Sequence, residues 1–582
     1  MAHQGRGLAV AGLALLGTLP LGAAQAFQMR SGDWSASLDT TLSYGVSYRM
    51  EGQDSKLIAR ANGGSGSNAE LINSDDGNLN FKKGELFSEV VKVVSELDLH
   101  FQDRYGVFVR GRAFYDFELE DDERRHREIS SAGLDEAGSS ADLLDAFVYG
   151  SWTLNERALN ARLGRQVINW GEGLFYQNGI GATNPVDINA LRAPGSEVKE
   201  AYMPTFMAYA SFELRDNLSI EGYWQPGKAW EASKIDPCGT YYSTLDVLGE
   251  GCNYLSVAPL QEALLGTAFD SPAAARAFGE ALGPGLVNDL IRGYLPRTFI
   301  PRAQDIDGDD SPQYGVALRW YVPALNDTEL GFYYLRYNMQ VPMIGLTVGQ
   351  PVVLPLIGAL PDASSSRYYA EYLERRDLFG VSFNTSIGGE SIFNGLSLAG
   401  ELSYRPNTPI ALGLNEYLPD ALFGSLAGLP VGSRLDGYRE KDMYQASLVA
   451  IYNFTGLLGA NSATLFSELL ASRVQGLESD VDYYEATSSA YGAQASLQLT
   501  YSNVFNLVNL VPSVGYQYSI NGVAPQLTNG LDEEAQSYSL GLDAVYQESL
   551  TVGAKYVGYS GGGLSNKRSD RDFLSFNIKY SF

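Results

Sequence analysis

The sequence predicts an all-β fold: a transmembrane antiparallel β-barrel of about 18 strands (16–18), with long extracellular loops and a small helical loop insertion. Three observations carry that reading. They are an export-type leader, recurring stretches with a large apolar residue at every second position, and a strict alternation of short and long connections between those stretches. The chain ends on the clearest example, FNIKYSF. Leu574, Phe576, Ile578, Tyr580 and Phe582 fall on one face of an extended strand, and Ser575, Asn577, Lys579 and Ser581 fall on the other.

The leader comes first in the chain. Residues 1–26 carry Arg6, an apolar run from Leu8 to Leu21 and the small-residue site Ala24-Gln25-Ala26, the layout of a secretory signal peptide cleaved before Phe27. A single barrel domain is therefore expected over residues 27–582. Beyond the leader no run approaches the roughly 18 consecutive apolar residues that a membrane-spanning helix needs. A net charge of −27 sets the chain against nucleic acid and anionic headgroups as partners, because both would be repelled. With 37 Tyr and 63 Gly among 582 residues, an exported chain of short alternating strands reads as an outer-membrane barrel in a Gram-negative cell, with outer-membrane lipid as its surroundings.

The strands follow in order at 34–49, 87–102, 105–118, 142–154, 157–168, 203–214, 217–226, 312–322 and 327–340, then 376–388, 394–405, 441–453, 461–474, 489–502, 510–521, 536–546, 549–559 and 572–582. In the first, Trp34, Ala36, Leu38, Thr40, Leu42, Tyr44, Val46 and Tyr48 share one face. A tilted strand of about 9–11 residues crosses a bilayer. Short connections such as Asn155-Glu156-Arg157 and Gln547-Glu548-Ser549 alternate with long ones at 50–86, 119–141, 169–202, 227–311, 341–375 and 406–440. Outer-membrane barrels have short periplasmic turns and longer extracellular loops, whereas a soluble β protein has no reason to alternate this way.

Inward positions carry both signs of charge, among them Arg49, Lys92, Glu96, Asp98, His100, Arg110, Arg112, Asp116, Arg165, Glu401, Arg405, Glu468, Asp543, Lys555 and Lys579. That mixture fits a polar lumen with ion pairs across the wall better than a simple anion or cation pore. Arg110, Arg112 and Asp116 are assigned to the substrate path. The loops are unusually apolar for solvated segments. Residues 342–361 read PMIGLTVGQPVVLPLIGALP, and 409–432 carry Leu412, Leu414, Leu418 and Leu422. The insertion 227–311 includes a helical-looking stretch at 257–295. Such segments either pack on one another or receive an apolar ligand, with Val352, Leu354, Leu356, Ile357, Leu412 and Leu414 as candidate capture residues.

Cys238 and Cys252 are expected to form a disulfide in an exported chain. Signals for catalysis are weak. Gly558-Tyr559-Ser560-Gly561-Gly562 fits a nucleophile-elbow pattern but opens a loop after a strand instead of a helix. Only His100 and His126 remain as imidazole bases once His3 leaves with the leader. The acidic DIDGDD at 305–310 departs from calcium-loop spacing. No enzyme activity, metal or cofactor is expected; an outer-membrane hydrolase and a plugged structural or adhesin barrel are the alternatives.

Residues 162–200, RLGRQVINWGEGLFYQNGIGATNPVDINALRAPGSEVKE, together with GDWSASLDTTLSYGVSYR near the mature start, resemble the proteobacterial outer-membrane family catalogued as domain of unknown function 1302. The resemblance implies an outer-membrane location and uptake of hydrophobic carbon sources such as alkanes, terpenoids or steroids. It also implies an envelope protein of a second family as a partner, and no catalytic residues. Within the segment, Arg165, Trp170, Glu172, Asn184, Asp187 and Arg192 are expected at or just inside the mouth of the barrel, either along the substrate path or tying the loop to the wall.

Overall fold

A computed structural model describes residues 27–66, 69–176, 179–257, 298–354, 358–388, 395–525 and 531–582. The expected leader, 1–26, lies outside the described residues, as do residues 258–295 of the helical-looking stretch.

Period-two alternation becomes a closed barrel of 18 antiparallel strands. In chain order these are β1 (Trp34–Arg49), β2 (Leu86–Phe101), β3 (Tyr105–Asp116), β4 (Ser139–Leu154), β5 (Arg157–Gln166), β6 (Thr205–Arg215), β7 (Leu218–Gln225), β8 (Gln313–Val322) and β9 (Thr328–Tyr337). They continue with β10 (Arg376–Ile387), β11 (Leu396–Ala411), β12 (Tyr438–Phe454), β13 (Ser462–Val474), β14 (Ser489–Val504), β15 (Val508–Asn521), β16 (Gln536–Tyr546), β17 (Leu550–Ser560) and β18 (Phe573–Ser581). Each strand pairs with its sequence neighbours, and β18 closes on β1 in a register running from Thr41 opposite Ser581 to Arg49 opposite Phe573. Closure leaves no unpaired strand edge in lipid, where each unsatisfied backbone group costs several kcal/mol. A short ribbon, Phe27–Ser31, continues the sheet beside the start of β1.

The turns at one end are as tight as their composition implies. Asn155-Glu156 and Gln547-Glu548 both take positive φ, the two-residue hairpin that matches strand twist. The long connections gather at the other end as L1 (50–85), L2 (117–138), L3 (167–204), L4 (226–312), L5 (338–375) and L6 (412–437), with shorter L7–L9 before β14, β16 and β18. L6 begins later than the sequence indicated. A bulge between Arg405 and Thr408 lets β11 run on to Ala411.

The outer face of the barrel is an apolar belt. Leu163, Phe206, Val381, Leu402, Leu540 and Phe576 are among its exposed side chains. In water this belt would be an aggregation surface; in a bilayer it is the surface the solvent requires. Toward the loop end, Tyr314, Tyr334, Phe379, Tyr404 and Tyr444 touch in sequence across β8–β12, with ring centroids 4.8 to 6.3 Å apart. At the turn end Trp34 meets Phe101 and Tyr105 meets Trp152. These two rows are interfacial aromatic girdles, and the chain is an outer-membrane protein.

Candidate pore constriction and vestibule

Proline and glycine early and late in L3 leave little regular structure between them, so the loop is free to fold inward, and two buried carboxylates on the inner wall hold it there. Glu401 of β11 accepts the N–H groups of Glu172 (2.6 Å) and Ile180 (3.0 Å). Glu468 of β13 accepts those of Leu174 (3.1 Å), Phe175 (2.5 Å) and Tyr176 (3.2 Å). Arg405 donates to the Gly179 carbonyl at 2.5 Å. The fit at this point allows no side chain, since a Cβ on Gly179 would lie 1.6 Å from Glu401 Oε1. Bonds from N–H to a charged acceptor contribute about 1.5–3 kcal/mol each, so L3 is fastened, not merely resting in the lumen.

Apolar packing completes the attachment. Ile168, Trp170 and Ile180 of L3 bury against Met207, Tyr223, Ala317, Tyr333, Leu335 and Leu378 on the inner face of β6–β10. Trp170 is 2% exposed and donates its indole N–H to Glu221 at 2.7 Å. Its ring lies where a Cβ on Gly315 would stand, 2.7 Å away.

The expected site residues fall into three groups. The first ties the loop. Asn184 bridges the neck of L3, accepting from Ile168 N–H and donating to the Gln166 and Met203 carbonyls. Asp187 caps the turn Ile188–Arg192 and, with Asp142, holds Arg112 at 2.9 and 2.8 Å. Arg192 pairs with Asp236 of L4; burial works against its charge, but the aspartate holds its pKa above the ordinary value. Asp116 caps Phe117–Asp121 and accepts the Glu89 N–H, an architectural role. Glu172, with its pKa raised by burial, accepts from Asn384 at 3.0 Å.

The second group lines the lumen. Arg110 is paired with Glu96 (3.2 Å) and Asp145 (3.1 Å), Lys199 with Glu96 (2.8 Å), and Lys92 with Glu200 (2.7 Å). Arg162, which sequence reasoning passed over, points inward between the Phe147 and Tyr209 rings. Arg165 is a correction. Alternation puts Arg162, Gly164 and Gln166 inside, so Arg165 shares the outer face with Leu163 and pairs with Glu231 of L4. An outward arginine costs about 2–4 kcal/mol at the bilayer midplane but only about 0–1 near its edge, where β5 ends.

The third group forms the apolar cap. Leu412, Leu418 and Leu422 of L6, Leu346 and Tyr368 of L5, and Val247, Leu248 and Leu255 of L4 make one buried cluster, with Leu414 packed at its margin. Val352 and Leu354 belong to a small hairpin, Val352–Leu354 with Gly358–Leu360; Leu356 and Ile357 lie outside the described residues. Below this cluster and above L3 is a cavity of about 300 Å³ whose lining includes Leu245, Met339, Ile344, Leu412 and Leu414, with Glu401 and Arg405 at its floor and Lys567 and Arg568 of L9 to one side. Cys238 and Cys252 are bonded, with Cα atoms 5.6 Å apart, and brace L4. At the residues considered for chemistry, His100 lies against Asp98 and Tyr149, His126 against Asp76, and Asp309 against Lys228. Among the described residues no group of three or more His, Cys, Asp or Glu is arranged to hold a metal ion.

A closed barrel with an apolar belt, two girdles and an inward-folded third loop defines an integral outer-membrane β-barrel protein. By sequence the chain belongs to the family described as Protein of unknown function (DUF1302), whose model matches residues 7–582. No curated protein matches it. Among solved structures it is similar to OccAB3 of Acinetobacter baumannii, at 10% identity and a TM-score of 0.40, covering 94% of this chain and 99% of that one. It is also similar to a BenF-like porin from Pseudomonas fluorescens Pf-5, at 9% identity and a TM-score of 0.40, covering 94% and 98%. A third is OccK2 (OpdF) of Pseudomonas aeruginosa in complex with glucuronate, at 9% and 0.38, covering 94% and 98%. Likenesses this distant say nothing of what the present chain carries.

Proposed function

We propose that residues 27–582, released from the leader 1–26, act as a passive channel without catalytic activity, through which apolar small molecules enter the cell. The observation behind this reading is the cavity above L3. A loop cap with Leu245, Met339, Ile344, Leu412 and Leu414 along one part of a half-open space offers an apolar surface to a solute arriving from water. An apolar solute gains roughly 25 cal/mol for each Å² removed from water, so even half-coverage concentrates it at the mouth. On L3 itself Leu174, Leu191 and Val198 remain 44%, 43% and 66% exposed, which continues the apolar track into the lumen. Alkanes, terpenoids and steroids are the solutes this geometry favours, and a periplasmic or envelope partner would receive them below.

The test is growth of a deletion strain on alkanes, terpenes, steroids and sugars, complemented with wild type or with Leu412→Ser/Leu414→Ser. The expected outcome is a defect on an apolar source alone, in both the deletion and the double variant. Equal defects on sugars, or none on any apolar source, would sink the reading. A plugged barrel is the second reading, favoured by the five N–H bonds that fasten L3 to Glu401 and Glu468. It predicts no solute flux in proteoliposomes. A hydrolase would lose activity when His100 and His126 are replaced, whereas uptake by a channel survives.

A further inference from the structure

L3 leaves most of one side of the lumen uncovered and meets it at the loop end, where Tyr176 packs with Ala490 of β14. Where β14–β17 face inward the side chains are short and polar, including Gln498, Ser513, Gly515, Ser539, Gly541 and Gly553, as their register opposite one another requires. The loop reaches toward the end of this wall at two points. Pro194 sits against Gly45 of β1, where a Cβ would be 2.7 Å from the proline, and Gly195 sits against Asn577 of β18. Glu197 reaches Lys579 at 3.6 Å. Around these contacts L3 presents the exposed side chains of Leu191 and Val198. The gap between loop and wall therefore has an apolar edge and a polar edge.

On the polar edge stands Lys555. It lies opposite Ser575 and Gly541, one residue pair toward the loop end from Asn577. Its side chain is exposed in the lumen. The other cations nearby are neutralised: Lys92 by Glu200, Lys199 by Glu96, Arg110 by Glu96 and Asp145, and Lys579 by Glu197. Arg162 is capped by aromatic rings. Among the described residues no ion pair or hydrogen bond reaches the Lys555 ammonium, and Asp543 faces it only across a diagonal of the sheet. The chain's charge of −27 does not cancel this cation, because charges beyond a Debye length of about 8 Å are largely screened at physiological salt.

We infer that Lys555 is the specificity-determining residue of the pore, and that the preferred solute is an amphiphile with an apolar body and a single carboxylate. The body follows Leu191 and Val198 while the carboxylate meets Lys555. This rests on the apolar-cargo reading above and names the class within it.

The experiment uses full-length protein in planar bilayers. Reversal potentials are measured in a KCl gradient for wild type, Lys555→Met and Lys555→Glu, with block of the current by dodecanoate and by dodecanol. Loss of the lysine shifts the reversal potential toward cations, more for glutamate than for methionine. It weakens dodecanoate block by on the order of threefold to fivefold, the scale of a solvated ion pair, and leaves dodecanol block unchanged. Unaltered reversal potential and unaltered dodecanoate block in both variants would overturn the assignment. If neither amphiphile blocks wild type while the reversal potential still shifts, the apolar-cargo reading fails and takes the amphiphile with it, but Lys555 remains the selecting charge. Should the glutamate variant not assemble, the methionine variant decides alone.

Discussion

The inner faces of β6–β10 and of β14–β17 belong to one cylinder yet are written differently. The first carries Met207, Tyr223, Tyr333, Leu335 and Leu378, and L3 packs on it as on a protein core. The second carries mostly serine, glycine and glutamine, and L3 meets it at its loop-end margin, where Tyr176 packs with Ala490 of β14, rather than burying a row of large side chains along it. A closed sheet fixes the diameter of the barrel but not the width of its opening. The opening is set by which sector of the wall the third loop can bury, and the loop goes where hydrophobic area is recovered.

That contrast can be broken most forcefully at its fastening. In Glu401→Ala/Glu468→Ala, five backbone N–H groups lose a charged acceptor, each worth about 1.5–3 kcal/mol. Single-channel conductance is expected to rise several-fold as L3 lifts away, whereas Ser513→Ala/Ser539→Ala on the open wall leaves it near wild type. Equal conductance in all three would mean that L3 is held by packing alone. A smaller effect, confined to the cap, follows from Cys238→Ser. Losing a crosslink with a sequence separation of 14 costs about 3 kcal/mol of local order. Proteolysis of L4 should accelerate while the heat-modifiable barrel band persists.

The smallest effect is a pH dependence far from the lumen. Glu136, on the short helix Ser131–Ala137 of L2, has its pKa pushed from 4.5 up to about 7, mainly by burial and against the pull of Lys234. The packed state binds this proton more tightly than the open one. Its stability is therefore greatest below about pH 4.5, falls as pH rises toward 7 and is flat above. Amide exchange of residues 131–137, corrected for its intrinsic pH dependence, should speed up by on the order of tenfold across that interval. Glu136→Gln should remove the dependence, and persistence of the slope in that variant would refute the assignment.

The strands were legible because a half-lipid, half-water environment imposes a period of two that no loop sustains. The span read at 536–546 is the observed Gln536–Tyr546, and 376–388 is Arg376–Ile387. Arg165 misled because its charge was weighed above its parity with Leu163; the lipid edge tolerates what the midplane does not. The roles of Glu401 and Glu468 were hidden for another reason. Both were visible as inward acids, but their partners are backbone N–H groups more than 200 residues away, and a backbone donor leaves no mark in composition. The segment 162–200, recognisable as a motif, carries ties for its own loop in Asn184, Asp187 and Arg192. Hydrophobicity located the cap but not the cavity under it, because an apolar stretch reads the same whether it fills space or encloses it.

The seam between β1 and β18 has a consequence for how the protein comes apart. Thr41 and Ser581 meet at 2.9 Å although 540 residues separate them. Each doubling of such a separation adds only about 0.6 kcal/mol of closure entropy, so distance along the chain weakens the join very little. The seam is also clasped from above. Arg49 donates to the carbonyls of Asn78, Phe81 and Asp570, and Arg571 donates to those of Tyr241 and Ser243, knotting L1, L4 and L9 over the first and last strands. A barrel unzips from a free edge, and the place where an edge would open first is the one held by two buried guanidinium groups. Longevity in the membrane is then a matter of rate, set by how often that clasp lets go.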